Sequence, residues 1–166
     1  MNRRPLQFAP KEIFEQILEY AVIPTFDLVV WFEGRGVALV RRRIAPYRGF
    51  WALPGLRMMK PEGIEDTLRR IARSELGVEI NPSDRLFLGQ YVGRFRTEKG
   101  RQDLSTGYAV PCVASAITIN PAHFSGFRFI ASEAEIPNRT GAMYRFYLKR
   151  FFVLRDSFAG SSPNSN

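Results

Sequence analysis

The apolar positions along this chain change period several times. In residues 10–21, PKEIFEQILEYA, Ile13, Phe14, Ile17, Leu18 and Ala21 recur at helical spacing, with Pro10 suited to a first turn. FDLVVWF at 26–32 is a continuous apolar run of the kind found in a buried strand. GRG then makes a turn, and VALVRR at 37–42 returns as the second strand of a hairpin. Residues 43–60 hold Pro46, Gly49, Pro54 and Gly55 and predict a loop. From Glu62 to Leu76 the pattern is helical. Ile64, Leu68, Ile71 and Ala72 share one face, while Glu65–Arg69 and Asp66–Arg70 form i,i+4 pairs on the other. Gly77 then serves as a C-terminal cap. Strands are predicted at 86–95, 107–119 and 126–131, and an amphipathic helix at 141–154. Residues 158–166, FAGSSPNSN, predict a disordered tail, which leaves one domain over 1–157. Strands wrapped by helices, without regular βαβ alternation, predict an α+β sandwich.

Bulk properties narrow the classes. A chain of 166 residues suffices for one well-buried core. No run approaches the roughly 18 uninterrupted apolar residues of a membrane span, so no membrane partner is expected. The N-terminal MNRRPLQFAPKEIFEQ lacks the apolar core of a secretory signal. The single Cys112 cannot form an internal disulfide, and it reads as a small buried hydrophobe. Both features lead to a cytoplasmic expectation. The net charge of +8 favours anionic ligands. Arg41, Arg42, Arg43 and Arg48 cluster before the central segment, and Arg94, Arg96, Lys99 and Arg101 cluster after it. Two clusters around one segment point to a polyanionic ligand. The aromatics do not repeat as stacking platforms, so nucleic acid is not the expected partner.

The central segment is FWALPGLRMMKPEGIEDTLRRIARSELGVEI, residues 50–80. A tight loop enters a helix with spaced carboxylates, an arrangement that suits a divalent cation with oxygen ligands. Such a cation neutralises pyrophosphate charge. The spacing resembles the Nudix box, which runs Gly, five residues, Glu, seven residues, then Arg-Glu-apolar-any-Glu-Glu-any-Gly-apolar. Registered on Gly77, the defined positions are Leu56, Glu62, Arg70, Ile71, Ala72, Ser74, Glu75, Gly77 and Val78. Leu56, Ile71 and Ser74 depart from the pattern; the other six fit, and WALPG precedes them as in the family. The resemblance implies an α/β/α sandwich with a mixed β-sheet. It also implies a metal site reduced to Glu75 and the Gly55 carbonyl, holding one Mg²⁺, with Mn²⁺ an alternative.

The GDP-mannose mannosyl hydrolase branch is similar in its apolar, small, Glu-Leu-Gly ending of the box. The similarity extends over roughly residues 14–152 and includes Asp27, Arg42, Arg57 and Tyr108. It implies a nucleoside-diphosphate sugar substrate, such as GDP-mannose or GDP-glucose. Water would attack the anomeric carbon and release the intact nucleoside diphosphate. It also implies a homodimer. Arg57 and Arg42 would hold the diphosphate, Asp27 and Tyr108 would contribute to the site, and a histidine would be the base. The only histidine is His123, in NPAHFSGFRFI. Counted back from the following strand, the branch's histidine aligns with Phe124. Either His123 fills the role through a one-residue shift, or the base is absent. Glu62 reads as a structural partner of Arg70. Two alternatives stay open: a P–O-cleaving Nudix pyrophosphatase whose metal site is repaired by Glu62, Glu65 or Asp66, and a Nudix-fold binding or regulatory module without catalysis.

Overall fold

The computed structural model describes residues 5–96 and 98–159. Helix α1 (Lys11–Tyr20) leads into the long strand β1 (Val22–Phe32). Strand β2 (Gly36–Arg42) returns antiparallel, as the hairpin pattern predicted, with Phe32 opposite Gly36. The segment expected to be loop contains two short strands, β3 (Trp51–Ala52) on β2 and β4 (Gly55–Arg57) on β1. Helix α2 (Ile64–Leu76) follows, then β5 (Leu86–Phe95), β6 (Arg101–Cys112), β7 (Phe124–Ile130) and α3 (Ala142–Ala159).

The strands form one mixed sheet in the order β3-β2-β1-β6-β5, with β4 on β1 and β7 on β2. The β1–β6 pairing is parallel; the other named pairings are antiparallel. Side chains alternate across a strand. On β6, Ser105 and Gly107 face α3, where Tyr147 packs. Tyr108 faces the other side, beneath the Arg85 guanidinium, which is itself paired with Glu65 of α2. With helices on both faces, the fold is the expected α+β sandwich.

Several boundaries differ from the sequence expectation. The first strand begins at Val22 rather than at residue 26, because Pro24 and Thr25 interrupt the apolar run without interrupting the pairing. The strand expected at 107–119 runs from Arg101 to Cys112. Its first half reads as polar because Asp103 and Ser105 face inward and are satisfied there by Arg101, Asp27 and Tyr147. Beyond Cys112 the chain leaves the sheet and crosses the end of α2. Thr118 N donates to Leu76 O at 2.9 Å and Asn120 N to Glu75 O at 3.1 Å. These bonds satisfy carbonyls of the last helical turn, where Gly77 caps in the left-handed conformation at φ 64°. Helix α3 continues to Ala159, two residues into the expected tail; residues 160–166 lie outside the described residues. No described helix is long and apolar enough to cross a membrane.

One local expectation also needs correction. Arg70 does not pair with Asp66. It forms a two-pronged bond to Glu62, with Nη2–Oε2 at 2.8 Å, as the structural reading of Glu62 anticipated. Asp66 instead accepts from Gly63 N at the helix start. The apolar stripe of α1 is only partly covered. Phe14 and Leu18 are half-buried, while Ile13 and Ile17 are exposed.

Candidate active site

A cavity of about 300 Å³ opens over the β1–β4–β6 surface. Asp27, Arg42, Gly55, Arg57, Glu75 and His123 all line it. Six of the seven residues expected from sequence therefore converge. Tyr108 is the exception: it does not line the cavity, and it stacks on Phe26 on the α2 face with ring centroids 6.1 Å apart.

Glu75 and His123 form a pair in the cavity wall. Glu75 ends the buried face of α2 and is 1% exposed. His123 is brought to it by the loop that crosses the helix end. His123 Nδ1 lies 2.8 Å from Glu75 Oε1, and Asn120 Nδ2 approaches the same oxygen at 3.3 Å. Arg43 N donates to His123 O at 2.7 Å, which fixes the backbone at the start of β7. Phe124, at the position where the branch's histidine aligns, is buried in the core. The one-residue shift thus places His123, not Phe124, in the cavity. With Nδ1–H donated to the carboxylate, the neutral ring carries its lone pair on Nε2.

The two arginines are held by different contacts. Arg42 donates through Nη2 to Ala45 O at 3.2 Å and through Nε to Pro46 O, tying down the loop before β3. The Arg57 guanidinium sits 3.9 Å from the centroid of Phe14 on α1. Burial, with the nearby charges of Arg101 and Arg70, lowers its pKa from the usual arginine value. An anion would relieve that crowding of positive charge.

Asp27 forms the floor. Ser105 Oγ donates to Asp27 Oδ2 at 2.5 Å, and the Tyr147 hydroxyl lies 2.9 Å from Ser105 Oγ and 2.9 Å from Ser105 O. On the other side, a Cβ on Gly55 would stand 2.2 Å from Asp27 Oδ1 and 2.8 Å from Phe26 O. Only glycine allows β4 to lie this close. Burial pushes the Asp27 pKa up to about 7, against the opposing effects of the Ser105 hydrogen bond and the Arg42 charge. An unfolded Asp releases its proton near about 3.9. The folded state therefore binds more protons between those values. The stability contribution is full below the unfolded pKa and is lost as the pH rises through about 7. We expect Asp27→Asn to flatten that decline in urea titrations at mildly acidic and neutral pH. An unaltered slope would show that Asp27 does not cause it.

The divalent-ion donors are few. Ile71 is fully buried in the core, and Ser74 lines a separate groove on the outer side of α2. Neither reaches the cavity. Glu62, Glu65 and Asp66 do not line it either. Among the described residues, no three His, Cys, Asp or Glu side chains converge as a metal cluster. Glu75 Oε2 carries no hydrogen bond among the described residues, because His123 and Asn120 both use Oε1. This set fits one ion shared with substrate oxygens, not a multi-ion site.

Sequence reasoning named Arg101 only as one of a basic cluster and missed Asp103, Ser105, Tyr147 and Asn120. Arg101 and Asp103 form a two-pronged pair at 2.7 and 2.8 Å on the cavity wall. The i,i+2 spacing of three polar residues at 101, 103 and 105 was the available signal, since alternate strand residues share a face. Tyr147 and Asn120 carried none, because their partners lie far along the chain.

A family model described as NUDIX domain matches residues 23–149. The low-salt glycan biosynthesis protein Agl8 of Haloferax volcanii is 37% identical over 83 residues, which are 50% of this chain and 53% of that protein. The match thus spans about half the length of that relative. A MutT NUDIX hydrolase from Burkholderia pseudomallei superposes with a TM-score of 0.68 at 19% identity, over 77% of this chain and 96% of that one. The NUDIX domain of Shewanella oneidensis NrtR, solved with ADP ribose, gives a TM-score of 0.64 at 21% identity, over 83% and 89%. The matched span takes in the sheet from Ile23 on, the box helix and the cavity lining apart from Phe14, and on that match the chain belongs to the Nudix family.

Proposed function

We propose that the protein hydrolyses nucleoside-diphosphate sugars of the GDP-mannose type by water attack at the anomeric carbon. The observation that carries this reading is the Glu75–His123 pair in a cavity that also presents Arg42 and Arg57. A histidine held through Nδ1 by a carboxylate is oriented as a general base. Its Nε2 takes a proton from water as the water oxygen bonds to C1 of the sugar. The C1–O bond breaks, and its electron pair leaves with the diphosphate. Arg42 and Arg57 stabilise that leaving group as its charge develops. Asp27 and Gly55 keep β4 close to the floor and so set the depth of the cavity. A Mg²⁺ ion held by Glu75 and Gly55 would add positive charge at the departing diphosphate.

A sugar-nucleotide substrate is further supported by the glycan biosynthesis name of the Haloferax relative, and a nucleotide ligand by the ADP-ribose complex of the NrtR domain. Cleavage between phosphorus atoms has less support. The carboxylates that would have to rebuild a multi-ion site are engaged elsewhere: Glu62 by Arg70, Glu65 by Arg69 and Arg85, and Asp66 by Gly63 N and Arg69.

The test is product identity after incubation with Mg²⁺ and GDP-mannose. GDP plus mannose is the expected outcome. GMP plus mannose 1-phosphate would overturn the reading, and binding without turnover would leave the non-catalytic module.

A further inference from the structure

We infer that the α1 end of the same cavity is a nucleoside subsite in which the Thr25 hydroxyl hydrogen-bonds the nucleoside. The inference rests on the nucleotide-sugar reading of the cavity. Thr25 lines the cavity and is 8% exposed, and its Oγ1 is the one buried side-chain oxygen or nitrogen without a hydrogen-bond partner among the described residues. Buried hydroxyls in native proteins are almost always bonded, since a missing bond costs stability. An orphan on a cavity wall is therefore explained most simply by a ligand group that completes it.

The sheet register gives the order of the subsites. Asp27 lies opposite Gly55, Thr25 opposite Arg57, and Ile23 opposite Asp103. Each two-residue step along β1 moves about 7 Å. The His123–Glu75 pair, the metal candidate Gly55 and the loop held by Arg42 mark the reacting end. Arg57 comes next, where the diphosphate would cross. Thr25 lies level with Arg57, and the Arg101–Asp103 pair is one step further along. Phe14 and Phe95 also line the cavity, with the Arg57 guanidinium over the Phe14 ring, so a planar base would meet aromatic and guanidinium groups there. A nucleoside matches that chemistry: a planar ring for the aromatic walls, and ribose or base polar groups for the hydroxyl. A bare diphosphate could accept from the hydroxyl but offers no planar ring, so pyrophosphate is the control ligand.

Thr25→Val tests this, because valine keeps the shape and removes the hydroxyl. Calorimetric binding of GDP, inorganic pyrophosphate and mannose 1-phosphate needs no turnover, so it is independent of the bond the enzyme cleaves. We expect Thr25→Val to weaken GDP about tenfold, to leave pyrophosphate and mannose 1-phosphate unchanged, and to leave the melting temperature of the free protein equal or higher. Thr25→Ser should restore GDP binding. Unchanged GDP affinity would overturn the inference. So would an equal loss for pyrophosphate, a loss confined to mannose 1-phosphate, or a lowered melting temperature, which would show that the hydroxyl already has a partner in the free protein.

Discussion

Replacing His123 with Gln is expected to lower kcat on GDP-mannose by about 10²- to 10⁴-fold, the usual contribution of a positioned general base. GDP affinity should change little, because the imidazole acts on water at the sugar carbon and not on the nucleotide. Glu75→Gln should cost at least as much, because it also removes the carboxylate that would hold the ion. The amide keeps the shape of the side chain but removes the charge that favours an Nδ1–H donor and a free Nε2. The double variant should be about as slow as Glu75→Gln alone, since that change already removes the hold on His123. Steady-state kinetics on the three variants decides it. Full activity in His123→Gln would remove His123 from the mechanism. Additive losses would assign Glu75 a separate task, such as ion binding alone.

The second large effect concerns the frame beneath the cavity. A Cβ on Gly107 would stand 2.3 Å from Tyr147 Cδ1 and 2.4 Å from Cε1. The Tyr147 ring is fully buried and its hydroxyl is tied to Ser105, so it has little freedom to retreat. Gly107→Ala is expected to cost about 3 kcal/mol, near the upper end for overpacking, and to lower Tm by roughly 10 °C for a domain of this size. Adding Tyr147→Leu should recover part of the loss, because it removes the clashing ring edge. If Gly107→Ala melts like the parent protein, the close approach of α3 to β6 is wrong. The support that α3 gives to Asp27 through Ser105 would then be wrong as well.

The sequence made the box helix, its cap and Glu75 legible, because each rests on local spacing. Gly55 was legible too, although its reason was not: the Asp27 carboxylate leaves no room for a side chain there. Tyr108 was misplaced for a simple cause. Once β6 begins at Arg101, the residues at 103, 105 and 107 face the cavity side and Tyr108 must face α2. Reading 101–106 as loop hid that alternation. It also hid the Arg101–Asp103 pair, because Arg101 read only as one of a basic cluster pointing to a polyanionic ligand. The His123 register could not be read from spacing alone. It depends on a loop that crosses the end of α2 through Thr118 and Asn120, contacts more than 40 residues apart in the chain. The Asp27–Ser105–Tyr147 chain likewise joins three distant segments, and only the folded sheet shows it.

The central claim is that water attacks carbon and not phosphorus. Turnover of GDP-mannose in H₂¹⁸O, followed by mass spectrometry of both products, tests it most directly. The account predicts label on the released mannose and none on GDP. Label on a phosphate of the nucleotide or of the sugar product would contradict it.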